Sequence, residues 1–200
     1  LLKFLGRPYE NLYTQDIICH GVPSPGIWQK YVDYRQKFAG AKLSEISFRK
    51  KLDNRKGTAF YMAFENGKYV KSPNYKDPMM NFFFFNKCLR PSCHKCSFKD
   101  VNRPSDITLA DFWGVNGVAR DLNDDKGMSL VLVHSEKGNE LFEKIKDKIV
   151  FREVDFKKAT KHNPMLKRST LKSPSRERLM RDFKKLPFEK VVKRHGSGIL

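Results

Sequence analysis

The chain has 200 residues, 40% of them hydrophobic and sixteen of them Phe, with a formal net charge of +18. Such a length suits one domain, or one domain with an extension, and the apolar content is enough to bury a core, which excludes wholesale disorder. The longest apolar run, Phe82-Phe83-Phe84-Phe85 with Met79 and Met80 nearby, is too short to span a bilayer, so no transmembrane segment is expected.

The start, Leu1-Leu2-Lys3-Phe4-Leu5-Gly6, lacks an initiator Met and a long apolar core, which points to a fragment or excised domain without a secretory signal and to a cytoplasmic location. Ser24-Pro25 predicts a helix start, with Ser as the cap and Pro at the first helical position. The helix runs through Ile27, Trp28, Tyr31, Val32 and Tyr34 to about Phe38, and Gly40 stops it. Strands follow at Ile46-Ser47-Phe48, Ala59 to Phe64 and Lys68-Tyr69-Val70. Asn66-Gly67 joins the last two as a hairpin, because both residues tolerate positive φ.

A short helix is predicted over Pro78 to Lys87, leading into the cysteine loop. Beyond the loop come a strand over Asp106 to Phe112, an apolar strand over Met128 to His134, an amphipathic helix over Glu136 to Lys146 and a returning strand at Ile149-Val150-Phe151. Past Asp155 the periodicity weakens, and one helix is expected from Pro174 to about Lys185, with Leu179 and Phe183 as its contact points. This order predicts an α/β or α+β fold: a mixed sheet with flanking helices, an inserted hairpin, a cysteine-rich loop and a basic helical C-terminal extension. Residues 1–155 form the main domain and 156–200 the extension. Residues 152–194 hold fifteen Lys and Arg against five Asp and Glu, a local net of +10. Such a field attracts nucleic acid, a phosphorylated cofactor, an acidic partner or a membrane surface; equally, it describes a solvated basic tail.

The chemistry concentrates in the cysteines. Cys88, Cys93 and Cys96 lie in one nine-residue run, and Cys19 is the only other cysteine. A disulfide pair is not expected in a chain without a secretory signal. A structural Cys₄ zinc site is a serious alternative, although zinc ribbons usually pair two Cys-x-x-Cys knuckles and only one is present. A two-iron cluster matches the Cys-x₄-Cys-x₂-Cys run in part, since the remote fourth cysteine precedes the run instead of following it, and spacing alone does not separate it from a four-iron cluster. Arg90, Lys95, Lys99 and Arg103 would favour an anionic four-thiolate cluster. His20 and His94 each adjoin a cysteine, but four thiolates already suffice.

Three further residues are candidates for cofactor binding. Asp106 and Asp111 bracket a predicted strand, and Lys126 sits in a polar loop before a buried strand, where it is placed to meet a cofactor phosphate. The plain alternative is a turn, a strand end and a surface loop. Trp113 is expected in the core rather than on a flavin ring, and the Phe82–Phe85 run is likewise expected in the core. The chain has no nucleophile–base pair, Walker loop or dinucleotide fingerprint.

Three motifs in order resemble a known family. They are Asp16-Ile17-Ile18-Cys19-His20-Gly21-Val22-Pro23-Ser24, then Leu89 to Lys99 around Cys93-His94-Lys95-Cys96, then Arg103-Pro104-Ser105-Asp106 through Asp111-Phe112-Trp113-Gly114. From residue 1 to about 185 the chain resembles the C-terminal domain of the beta subunit of coenzyme F420-reducing hydrogenase and dehydrogenase. The bacterial members associated with polysaccharide-biosynthesis genes are the most alike. The resemblance implies that residues 1–155 are an iron–sulfur flavoprotein-like domain with a [4Fe–4S] cluster on Cys19, Cys88, Cys93 and Cys96. It implies FAD or another flavin, electron exchange between cluster and flavin, and hydride transfer to or from a small molecule or deazaflavin such as F420. The expected partner is a redox protein or ferredoxin-like domain, and no nucleic acid. Family members usually carry an upstream Pro-Cys-Gln segment that this chain lacks, which puts part of the flavin site in question. Bacterial relatives commonly lack F420. Two rival readings remain: a zinc-stabilised basic nucleic-acid-binding module, and a non-catalytic, redox-derived partner in polysaccharide biosynthesis.

Overall fold

The computed structural model describes residues 2–7, 9–51 and 58–196; the last four residues of the predicted extension lie outside the described residues. In chain order the helices and strands are α1 (Leu2–Leu5), β1 (Gln15–Ile17), α2 (Pro25–Ala39), β2 (Leu43–Lys51), β3 (Thr58–Phe64), β4 (Tyr69–Pro73), α3 (Pro78–Phe84), β5 (Ile107–Asp111), β6 (Ser129–Val133), α4 (Glu136–Glu143), α5 (Phe156–Thr160), α6 (Arg176–Lys185) and α7 (Phe188–His195). The fold is mixed α/β with two small sheets and flanking helices, as the sequence pattern predicts. Among the described residues no helix is long and apolar enough to cross a membrane. The chain divides into two compact units: residues 1–19 with 97–168, and residues 20–96 with 169–200. The basic stretch after residue 155 is therefore shared between them.

The first unit holds a three-stranded sheet in the order β1-β5-β6, with β1 parallel to β5 and β6 antiparallel to it. Asp106, just before β5, ties three elements together. Its carboxylate accepts the Thr14 amide at 2.6 Å, the Thr14 hydroxyl at 2.8 Å and the Ser135 hydroxyl at 2.6 Å. Ser135 in turn caps α4 by accepting the Gly138 amide at 3.0 Å, satisfying one of the free N–H groups of the first turn. Gly138 packs directly on the Asp106 carbonyl: a Cβ there would lie 2.3 Å from its oxygen. The predicted strand at Ile149–Phe151 is not formed. These residues make no ladder; Val150 is exposed, and the Phe151 ring meets Phe142 edge-on at 5.1 Å, so the apolar triplet serves packing rather than pairing. The sequence also missed α5.

The second unit is built on the antiparallel sheet β2-β3-β4. Helix α2 starts at Pro25 and ends at Gly40, which takes the left-handed conformation (φ 74°) that a residue without Cβ adopts freely. Ser24 occupies the cap position, but its side chain does not cap; its backbone carbonyl receives the Ile27 and Trp28 amides instead. In the β3–β4 turn only Gly67 has positive φ; Asn66 uses its side chain, donating to the Ala39 carbonyl and accepting the Lys68 amide. Helix α3 ends at Phe84, three residues short of the predicted Lys87, and Asn86 follows at φ 58°.

Aromatic residues dominate this unit's core. Tyr31, Phe60, Phe82, Phe183 and Phe188 are buried with Met62, Leu179 and Val191. Leu179 and Phe183 are the contact points of α6, as its spacing predicts, while α7 was not predicted. Of the Phe run, Phe82 is buried and Phe83 packs against the core, whereas Phe84 and Phe85 are exposed, correcting their expected burial. The buried Asp77 caps α3 by accepting the Met79 and Met80 amides. It also accepts the Tyr31 hydroxyl at 2.6 Å and pairs with Arg35 at 2.8 Å.

Candidate functional site in the cysteine loop

In the second unit Cys88 follows α3, Cys93 sits in a 3₁₀ turn over Pro91–Lys95, and Cys96 comes next in extended backbone. Pro91 opens the turn, as suits its fixed φ and missing N–H. The segment His20–Ser24 is laced along this loop. Pro23 and Leu89 form an isolated antiparallel bridge, Ser24 donates its amide to the Cys88 carbonyl at 2.8 Å, and Arg90 donates to the Val22 carbonyl at 2.9 Å. The approach is close: a Cβ on Gly21 would lie 2.8 Å from the Leu89 side chain. The Val22 amide donates to Sγ of Cys93 at 3.2 Å. Amide donors of this kind stabilise thiolate sulfur.

Residues from the far end of the chain complete the loop's frame. The Cys96 amide donates to Ser169 Oγ at 2.8 Å, and buried Arg176 donates to the Leu89 carbonyl at 2.8 Å. The Thr170 hydroxyl donates to the His20 carbonyl. His94 Nδ1 lies 2.8 Å from the Thr170 carbonyl, which only accepts, so this nitrogen carries the ring proton. The Nε2 atoms of His94 and His20 are buried without a hydrogen-bond partner among the described residues, and the His20 ring rests 4.9 Å from that of Phe83.

All four cysteines are free thiols. Cys88 is wholly buried, and burial pushes its thiol up to about 12, so it is protonated at neutral pH. Cys93 and Cys96 are partly exposed. The donor chemistry suits a thiolate-bound centre. Among the described residues no three His, Cys, Asp or Glu side chains come together to hold a metal. In the first unit, Lys99 donates to the Cys19 carbonyl and the nearly buried Arg103 pairs with Asp16, so both cations have work within the fold.

The other candidates lie elsewhere in the first unit. Asp106 stands at the start of β5, and its carboxyl is held below the ordinary carboxylate range, first by the Ser135 hydroxyl and then by Thr14. Asp111 stands at the opposite end of the same strand, where its carbonyl accepts the Asn163 side-chain amide at 3.2 Å. Lys126 is 78% exposed and pairs with Asp124 at 3.4 Å. Trp113 is 58% exposed, which corrects its expected place in the core. Gly114 is left-handed (φ 87°), and a Cβ there would meet the His162 ring at 2.3 Å.

Two features of this unit escaped the sequence reading. One is a polar chain inside the sheet: Arg103 pairs with Asp16, the buried Thr108 hydroxyl donates to Asp16, and Thr108 Oγ1 lies 2.8 Å from His134 Nε2. The register Asp16↔Thr108↔Leu132 sets these strands side by side, a juxtaposition no local motif encodes. The other is a cavity of about 910 Å³ whose walls include Phe112, Leu132, His134, Phe142, Phe151 and Phe156. Asp106, Asp111 and Lys126 do not line it.

Comparison with solved structures finds a chain of the F420-reducing [NiFe] hydrogenase complex of Methanosarcina barkeri, in a xenon-derivatised form. It is 17% identical, with a TM-score of 0.38 over 96% of this chain and 54% of that one. This chain therefore spans about half the length of that one. No curated protein matches. The family model for the C terminus of the coenzyme F420 hydrogenase/dehydrogenase beta subunit matches residues 3–159. With more than half its length so matched, the chain belongs to the family of coenzyme F420 hydrogenase/dehydrogenase beta subunits, in their C-terminal region.

Proposed function

We propose that this chain is the electron-transferring part of an oxidoreductase, with Cys19, Cys88, Cys93 and Cys96 as thiolate ligands of a [4Fe–4S] cluster. The observation that carries the reading is the Val22 amide on the Cys93 sulfur, within the stretch that the family model matches. A bound cluster supplies one-electron exchange, and a flavin would couple it to hydride transfer with an organic substrate or deazaflavin.

The chain's own residues contribute orientation and tuning. Val22 N–H fixes the position of the Cys93 sulfur, while Ser169 and Arg176 hold the backbone on either side. Cys88 would give up its proton as a ligand, since ligand deprotonation is coupled to metal binding. A separate redox protein or ferredoxin-like domain would exchange electrons with it, in a cytoplasmic setting.

Anaerobic purification followed by dithionite reduction and electron paramagnetic resonance tests the reading. A reduced iron–sulfur signal, with flavin in the extract, is the expected result. Metal-free protein after anaerobic reconstitution with iron and sulfide would overturn the reading.

A further inference from the structure

We infer that the cavity of the first unit is a binding site for a neutral aromatic ring bearing one O–H or N–H donor, and that Nδ1 of His134 accepts that hydrogen. The inference stands apart from the cysteine assignment, because every residue it uses lies in the first unit.

The acceptor follows from proton accounting. The Thr108 hydroxyl has one hydrogen and gives it to Asp16, so Thr108 Oγ1 accepts from His134 Nε2 at 2.8 Å. Burial holds the imidazole below its usual range, outweighing the pull of Asp16, with Arg103 adding to the lowering. The ring is therefore neutral at pH 7. With its hydrogen on Nε2, Nδ1 keeps the lone pair. The carboxylate–threonine–histidine relay thus fixes the tautomer, much as a partner on one ring nitrogen decides the role of the other.

The cavity's other walls choose the ligand class. Phe112, Phe142, Phe151 and Phe156 supply aromatic surface, and about 910 Å³ is within the range of small-molecule sites. The two cations in its wall are already matched: Lys146 pairs with Glu143, and Arg152 grips Asp121 through two hydrogen bonds of 2.7 Å. A phosphate or carboxylate would have to displace those partners, whereas an uncharged ring with a single donor would not.

The test compares 2-naphthol with 2-methoxynaphthalene on the full chain, using fluorescence titration at pH 7. Without an acceptor, the more apolar ether would bind at least as well as the naphthol. With His134 accepting, the naphthol binds roughly three- to tenfold more tightly, the effect of one neutral hydrogen bond. His134→Phe keeps an aromatic wall but removes the acceptor, and is expected to abolish the preference while the ether's affinity holds. No binding of either probe, equal binding by the unmodified chain, or an undiminished preference in folded His134→Phe would each overturn the inference. The comparison on the unmodified chain decides the matter alone if the variant does not fold.

Discussion

The amide of Val22 points at Sγ of Cys93 across 3.2 Å, although 71 residues separate the two in the chain. Hydrogen bonds to cluster sulfur stabilise the reduced, more negative state and raise the potential. Val22→Pro deletes this donor. A reconstituted variant is expected to titrate at a more negative potential than the unmodified protein. An unchanged potential would mean that the contact does not reach a bound centre.

Asp77 binds the Tyr31 hydroxyl, Arg35 and two amides of α3 from a fully buried position. Replacing it by Ala strands a largely buried guanidinium and uncaps the helix. The expected destabilisation is about 3–5 kcal/mol, the scale for breaking a buried ion pair. Urea denaturation of Asp77→Ala checks this, and a loss within about 1 kcal/mol would place the pair among weak surface bridges.

Gly138 has no room for a side chain, because a Cβ would press into the Asp106 carbonyl at 2.3 Å. Backbone oxygen cannot swing aside as a side chain can. Gly138→Ala is therefore expected to cost roughly 1–3 kcal/mol, despite alanine's better helix propensity. A more stable variant in thermal melts would show that α4 shifts freely on β5.

The acid limb of stability should involve Asp106. Its folded carboxyl is depressed, chiefly by Ser135 and Thr14. A depressed carboxylate stabilises the fold above its unfolded value, about 3.9, and that contribution disappears as pH falls through the folded value. Thermal midpoints of the unmodified chain should fall more steeply below about pH 4 than those of Asp106→Asn. Parallel curves would remove Asp106 from the acid response.

Local chemistry was legible in the sequence where a residue acts on its neighbours. Pro25 and Gly40 bound α2, and Gly67 makes the hairpin turn, each through its own backbone preference. Leu179 and Phe183 gave away the inner face of α6 by their spacing. Ile149–Phe151 misled because an apolar triplet fits wall packing as well as a strand, and only a neighbouring ladder decides between them. The hydrogen bonds of Asp106 were not legible, because its partners, Thr14 and Ser135, lie 92 and 29 residues away. The relay from Asp16 through Thr108 to His134 was invisible for the same reason: it exists only once β1, β5 and β6 are in register. The cysteine loop was found by its own short spacing, whereas the Val22 donor depends on the bridge between Pro23 and Leu89.

The most direct measurement is iron and acid-labile sulfide per chain after anaerobic reconstitution, in the unmodified protein and in Cys19→Ser, Cys88→Ser, Cys93→Ser and Cys96→Ser. Ligation of one cubane by these four thiolates predicts about four irons and four sulfides in the unmodified chain, and a marked loss in every variant. Full iron retention in Cys93→Ser, or no iron in the unmodified chain, would contradict it.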